Sequence, residues 1–190
     1  MAVLNFPYIT KEGDVLRYKK EQAHDPGSPN FAGARAIHHA IKEFEGIGLD
    51  KIAWYEHKLV EYAFNELQKI NKVKLYVDRN PKGIFDRSLI TFNIEVWSSH
   101  MVANVLNNFY GIGVRAGSYC VYEFSRKINN TTAEEDKKIA EEVRGGKKDR
   151  IPGSVRASFS IYNNIEDVDR LILAMKEIVQ QGADYYIHMH

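Results

Sequence analysis

The sequence predicts a two-layer α/β protein of the α+β kind, with helices laid over one small sheet. Three observations lead there. Apolar residues recur at three- and four-residue steps in some segments and at alternate positions in others. The two kinds of segment alternate along the later part of the chain, but the strands are few and short. A length of 190 residues, 44% hydrophobic and 27% charged, describes an ordinary globular chain of one domain or a domain plus a fragment.

From the start, Val3–Thr10 reads as a short strand with Pro7 favouring an edge. Lys11–Asp14 turns the chain, and Val15–Tyr18 is a returning strand. Asp25-Pro26-Gly27-Ser28-Pro29-Asn30 is dense in turn formers, and Asn30 is placed to cap a helix whose apolar face holds Ala32, Ala36, Ile37, Ala40, Ile41 and Phe44. Gly46 and Gly48 are expected to end it. Asp50 is expected to cap a longer helix running to Asn71 through Ile52, Leu59, Val60, Ala63, Leu67 and Ile70.

The period then drops to two. Val73–Val77 and Leu89–Ile94 are strands separated by a loop with Pro81 and Gly83. Ser98 or Ser99 caps a helix through Val102, Val105, Leu106 and Phe109, closed by Gly111. Ile112–Arg115 is a short strand leading into Ala116-Gly117-Ser118-Tyr119-Cys120. Thr132-Ala133-Glu134-Glu135 fits a capping box, so an exposed charged helix follows and stops at Gly145-Gly146. Val155–Tyr162 is a strand, and Asn164 caps a final helix through Val168, Leu171, Ile172, Met175 and Ile178. The segment 1–48 makes too small a core to stand alone and reads as part of something larger.

Composition excludes several functions. With 26 basic and 25 acidic side chains the formal charge is +1, which argues against a polybasic nucleic-acid binder. No apolar run approaches the ~20 residues of a membrane span, and the start lacks a secretory layout. One cysteine cannot make an intramolecular disulfide, so the chain reads as cytoplasmic. Glycine-rich dinucleotide and phosphate loops and a Gly-x-Ser-x-Gly elbow are missing. The seven histidines show no paired metal-ligand spacing, and His188 with His190 reads as a tail, so no metal site is expected.

Three local features carry chemistry. Cys120 follows a glycine-bearing turn, with Arg115 five residues upstream to favour a thiolate; the bland alternative is an inert buried thiol. Arg156 stands on the polar face of its strand, where a guanidinium suits bidentate capture of a carboxylate, or is simply an exposed strand arginine. Gly27-Ser28-Pro29-Asn30 opens a helix, whose free N–H groups and dipole suit an anion, or is simply a cap.

Taken in order, these segments resemble the C-terminal half of a cysteine desulfurase or selenocysteine lyase. Those are class V aminotransferases, pyridoxal-phosphate enzymes of fold type I. Gly27-Ser28-Pro29-Asn30 resembles the family's Gly-Thr-Pro-Asn loop, and Tyr55-Glu56-His57-Lys58-Leu59 its Glu-His-x-Leu helix. Gly111–Cys120 resembles the segment Gly-Ile-x-Val-Arg-x-Gly-x-x-Cys. Arg156-Ala157-Ser158 with Tyr162-Asn163-Asn164 and Glu166–Asp169 resembles Arg-Ala-Ser…Tyr-Asn-Thr-x-Glu-Glu-x-Asp.

The resemblance implies that 1–48 is the end of the cofactor-binding large domain and 49–190 the small domain. It implies that Cys120 is the nucleophile that accepts sulfur from a cysteine or related substrate, that Arg156 holds the substrate carboxylate, and that Arg115 lines the same pocket. Ser28 then touches the phosphate of pyridoxal phosphate across a homodimer interface, and a sulfur-acceptor protein is the expected partner. Tyr119 and Val121 stand where the family usually has histidine and a small residue, and no lysine here can be assigned the Schiff base. An aminotransferase or other lyase without desulfurase activity, and a stand-alone binding domain, are the alternatives.

Overall fold

A computed structural model describes residues 8–9, 11, 15–16, 30–76, 88–147 and 150–187. The chain divides into two compact units, Met1–Leu49 and Asp50–His190.

In the first unit, β1 (Tyr8–Ile9) and β2 (Val15–Leu16) pair antiparallel, Tyr8 opposite Leu16 and Ile9 opposite Val15. Helix α1 (Phe31–Ile47) starts where the sequence placed it, because the Asn30 side chain accepts the Gly33 N–H at 2.8 Å. Gly46 does not end it; one interior glycine costs only about 1 kcal/mol. Gly48 does end it, at φ 100°, where its N–H still reaches the Phe44 carbonyl at 2.9 Å. None of the α1 residues is buried, and its apolar stripe stays open, with Phe31 74% and Ile37 64% exposed.

The second unit is built on a four-stranded antiparallel sheet in the order β3-β4-β6-β5, from β3 (Val73–Leu75), β4 (Leu89–Ile94), β5 (Arg115–Gly117) and β6 (Ser154–Ser158). Around it run α2 (Leu49–Leu67), α3 (Ser99–Tyr110), α4 (Tyr122–Ile128), α5 (Ala133–Arg144), α6 (Ile165–Gln181) and α7 (Ala183–Ile187). One sheet face presents Ile90, Phe92, Ile94, Val155 and Ala157 to Leu59, Val60, Ala63 and Leu67 of α2, Val102 and Leu106 of α3, and Leu171, Met175 and Ile178 of α6. Burying each large apolar side chain contributes about 1.5–3 kcal/mol, so this alternation fixes which strand residues face the other way. Two tyrosines tie α2 to the α6 end of the unit: Tyr55 donates to the Asn163 carbonyl at 2.7 Å and Tyr62 to Asp169 at 2.5 Å.

Several boundaries differ from the sequence expectation. Asp50 lies within the first turn of α2 rather than before it, still on the dipole's favourable end. That helix stops at Leu67, and Lys69 and Ile70 continue in tighter i→i−3 bonds to Glu66 and Leu67. The strand expected over 112–115 begins where it was expected to end, at Arg115, because only 115–117 meet a partner strand. β6 stops at Ser158, since Ser160 and Asn163 close a turn beyond it. The short helices α4 and α7 have no counterpart in the sequence expectation, and His188 and His190 lie outside the described residues. The expected caps form: Ser98 accepts from Met101 N–H, and capping boxes close at Thr132/Glu135 and Asn164/Asp167.

Candidate functional site

The polar face of the sheet sets up the site. Cross-strand register puts Thr91, Arg156 and Arg115 in one row, on β4, β6 and β5. Two guanidinium groups directly opposite one another repel, so the pair needs a partner. That partner is the ring of Tyr119, with the Arg156 guanidinium carbon 5.1 Å and that of Arg115 5.9 Å from its centre. An aromatic face carries negative charge density and accepts such cations.

The Tyr119 hydroxyl is held as firmly as its ring. It lies 2.8 Å from both the Arg115 carbonyl and the Ser154 carbonyl, spanning β5 and the start of β6. Burial pushes this phenol above its ordinary pKa; Arg156, the bond to Ser154 and Arg115 oppose that shift. The hydroxyl therefore keeps its proton and spends it on backbone carbonyls.

Beyond β5 the chain turns sharply. Val121 N–H bonds the Ser118 carbonyl at 3.0 Å, and the two residues between, Tyr119 at φ 53° and Cys120 at φ 63°, both lie in the left-handed region. A two-residue turn with both central φ positive normally takes Asn or Gly. Two side chains here cost roughly 1–2 kcal/mol each. The turn presents Cys120 exposed, in an open groove lined by Val121, Tyr122, Phe124 and Lys127.

Behind the turn the backbones nearly touch. A Cβ on Gly153 would sit 2.7 Å from the Gly117 carbonyl carbon and 2.8 Å from its Cα. Gly117 itself is at φ 121°, where only glycine is unstrained, and a Cβ there would meet the His100 ring at 3.5 Å. Beside this crossing, buried Asn93 donates its amide to the Gly153 carbonyl at 2.9 Å and to Asn129 Oδ1 at 3.1 Å. Asn129 adds a second donor to Gly153, at 3.0 Å.

One buried polar atom in the row has no protein acceptor: Arg156 Nε–H. It leaves an unmatched donor on a cation, which suits an anionic ligand with oxygen acceptors. Of the residues singled out in the sequence, Arg115 and Arg156 are brought together, and Cys120 follows directly on the tyrosine between them. The groove at Cys120 is not lined by either arginine. Ser28 lies outside the described residues. Two guanidinium groups, a ring and a thiol fit a carboxylate-bearing molecule. Among the described residues none of these groups is placed to hold pyridoxal phosphate, and Ser28, which the resemblance sets against its phosphate, is not among them. Among the described residues no cluster of three or more histidine, cysteine, aspartate or glutamate side chains is placed to hold a metal ion. No described helix is long and apolar enough to cross a membrane.

Sequence reasoning missed Tyr119 as part of the site and missed the Gly117–Gly153 contact. The strand pattern around Arg156 gave the polar row, but no local pattern in the sequence announces a ring turned back under two arginines.

Residues 13–171 match the family model described as Aminotransferase class-V. A probable cysteine desulfurase of Halobacterium salinarum is 29% identical over 88% of this chain and 37% of its own length. A cysteine desulfurase of Escherichia coli is 30% identical over 81% of this chain and 31% of its own length. Among solved structures, the apo cysteine desulfurase of Thermococcus onnurineus aligns with TM-score 0.68 and 27% identity over 95% of this chain and 38% of that one. The cysteine desulfurase CsdA of Escherichia coli aligns with TM-score 0.67 over 93% of this chain and 37% of that one, at 19% identity, and speaks for the fold alone. The chain thus spans well under half of the relatives it matches, and its α+β fold is part of the fold type I architecture read from the sequence. It belongs to the class V aminotransferase family.

Proposed function

We propose that this chain is the C-terminal part of a pyridoxal-phosphate-dependent cysteine desulfurase, in which 1–48 ends the large domain and 49–190 forms the small domain. The observation that carries the reading is the buried, unpartnered Nε–H of Arg156 in a two-arginine row whose shared ring, Tyr119, directly precedes an exposed thiol on a strained turn. The open apolar stripe of α1 is consistent with a segment that belongs to a larger body.

In this reading Arg156 and Arg115 hold the carboxylate of the amino-acid substrate, Arg156 by its fork of donors. Cys120 attacks the sulfur of bound L-cysteine. A bond forms between Cys120 Sγ and that sulfur as the substrate's Cβ–S bond breaks; the carbon takes a proton and leaves as alanine, and Cys120 is left as a persulfide. Pyridoxal phosphate, when bound in the whole protein, supplies the electron sink for the carbon centre. Ser28 contacts its phosphate across a homodimer interface, and the persulfide sulfur passes to an acceptor protein in the cytoplasm. No lysine of the 190 residues matches the family's Schiff-base segment, so in this reading they do not turn over substrate alone.

The test uses the full-length protein with L-cysteine, measuring sulfide and alanine together. Equimolar sulfide and alanine that vanish in Cys120→Ala support the reading; undiminished sulfide from Cys120→Ala refutes the role of the thiol. A second reading, an aminotransferase or another lyase, draws on Tyr119 and Val121 in the cysteine loop. It is distinguished by a keto-acid product and no sulfide.

A further inference from the structure

The residue before the thiol does two jobs that its neighbours cannot. In antiparallel register Arg115 stands opposite Arg156 across the β5–β6 ladder. Two cations in that arrangement spread apart unless something between them is negative. The described residues give neither guanidinium a carboxylate, and each instead lies over the Tyr119 ring, at 5.9 and 5.1 Å. The same residue's hydroxyl closes on the Arg115 and Ser154 carbonyls at 2.8 Å. It thus grips both strands that carry the arginines while its own backbone, with that of Cys120, is left-handed. With its proton given to backbone carbonyls, the hydroxyl is not a donor to substrate.

We propose that Tyr119 is a positioning residue for this site: its ring seats the two guanidinium groups side by side as one carboxylate receptor, and its hydroxyl clamps the turn that displays Cys120 beside them. The receptor takes a small carboxylate on the row Thr91–Arg156–Arg115, and the exposed thiol follows the shared ring by one residue along the chain. This deepens the desulfurase reading, which supplies the identity of the carboxylate; the geometry and its test need neither cofactor nor turnover.

The test compares alkylation of Cys120 by iodoacetate, which bears a carboxylate, with alkylation by neutral iodoacetamide. It is run at about 0.01 M salt, where the screening length is roughly 30 Å. Both reagents meet the same sulfur, so the ratio of their rates reports the cations and is not moved by a general loss of stability. The ratio in the parent chain is expected to exceed that in Tyr119→Leu about threefold, and the double variant Arg115→Gln/Arg156→Gln to match Tyr119→Leu. Tyr119→Phe keeps the ring and loses the clamp: its ratio stays near the parent's while amide exchange in 115–121 speeds up. Equal ratios in the parent and Tyr119→Leu overturn the seating role, as does a double arginine variant that leaves the ratio unchanged. Unaltered amide exchange in Tyr119→Phe overturns the clamp. Should Tyr119→Leu fail to fold, Tyr119→Met, which also lacks an aromatic face, takes its place in the rate comparison, and Tyr119→Phe still decides the clamp. Loss of desulfurase activity alone would leave these ratios untouched, so failure of the two ideas can be told apart.

Discussion

Replacing Gly153 by alanine adds one methyl group at the place where the polypeptide passes closest to itself. The new Cβ would stand 2.7 Å from the Gly117 carbonyl carbon and 2.8 Å from its Cα and oxygen, against the 3.4 Å at which ordinary contact begins. All three atoms are backbone, so no flexible side chain can swing aside; β5 must move off β6. Gly117 is itself paired with Ser154 in the ladder, and Asn93 and Asn129 hold the Gly153 carbonyl from the other side, at 2.9 and 3.0 Å. Overpacking of this kind costs about 1–3 kcal/mol. For a cost of about 2 kcal/mol the melting temperature falls by roughly 4–8 °C. Circular dichroism melts measure the loss, and amide exchange locates it: Ala116 and Gly117 should lose protection first. Gly113→Ala is the control, since nothing lies within 4 Å of its added Cβ and its φ is not positive. That variant should be neutral or more stable by about 0.4–1 kcal/mol. A Gly153→Ala chain as stable as Gly113→Ala, with β5 amides still protected, would refute the argument.

Three further outcomes follow from the same geometry. Asn93→Ala should cost about 1–3 kcal/mol in urea unfolding, and Asn93→Asp more, because a carboxylate offers the Gly153 carbonyl no donor; the reverse order would contradict the network. Alkaline pH should destabilise the fold: burial raises the phenols of Tyr110, Tyr186, Tyr76 and Tyr119, Tyr110 most and well beyond the ordinary range. Their folded pKa values lie above the unfolded value of 10.0, so the stability they contribute is complete below pH 10.0 and lost as pH rises through the folded values. Urea midpoints at successive pH values measure it, and Tyr110→Phe, which removes the 2.6 Å bond to Tyr186, should flatten the decline. On the proposed desulfurase reading, Arg156→Lys in the full-length protein should raise KM for the amino acid by about 10–100-fold with a smaller change in kcat, since lysine cannot make the two-point contact.

How much of this was legible depended on the range of the interactions. The caps at Asn30, Ser98, Thr132 and Asn164 are decided within four residues, and the sequence read them correctly. β4 was read to the residue because Ile90, Phe92 and Ile94 alternate against one core. β5 was not, because a three-residue edge strand is defined by its neighbour β6 rather than by its own pattern. α4 was missed because Tyr122 and Phe124, two of its apolar residues, are exposed and follow no helical stripe. The arginines were legible as chemistry, one by one. That they face each other, and share a ring, depends on pairing position 115 with position 156, which no local spacing encodes.

The turn itself gives the sharpest link between strain and role. Cys120 is exposed, so its side chain gains little from packing, yet it sits at φ 63°, where glycine would be at ease. A residue chosen for stability alone would be Gly or Asn. Cys120→Gly should therefore relieve about 1–2 kcal/mol of strain, less roughly 0.4–1 kcal/mol for the freer unfolded chain. Cys120→Ala keeps the Cβ, and hence the strain, and should leave stability within about 0.5 kcal/mol of the parent. A Gly variant that melts a few degrees above the Ala variant would mean that the fold carries a cost in order to place a thiol, as functional positions do. A Gly variant that melts no higher than the Ala variant would mean that the left-handed geometry is held at no expense, and the inference from strain to role at Cys120 would fall.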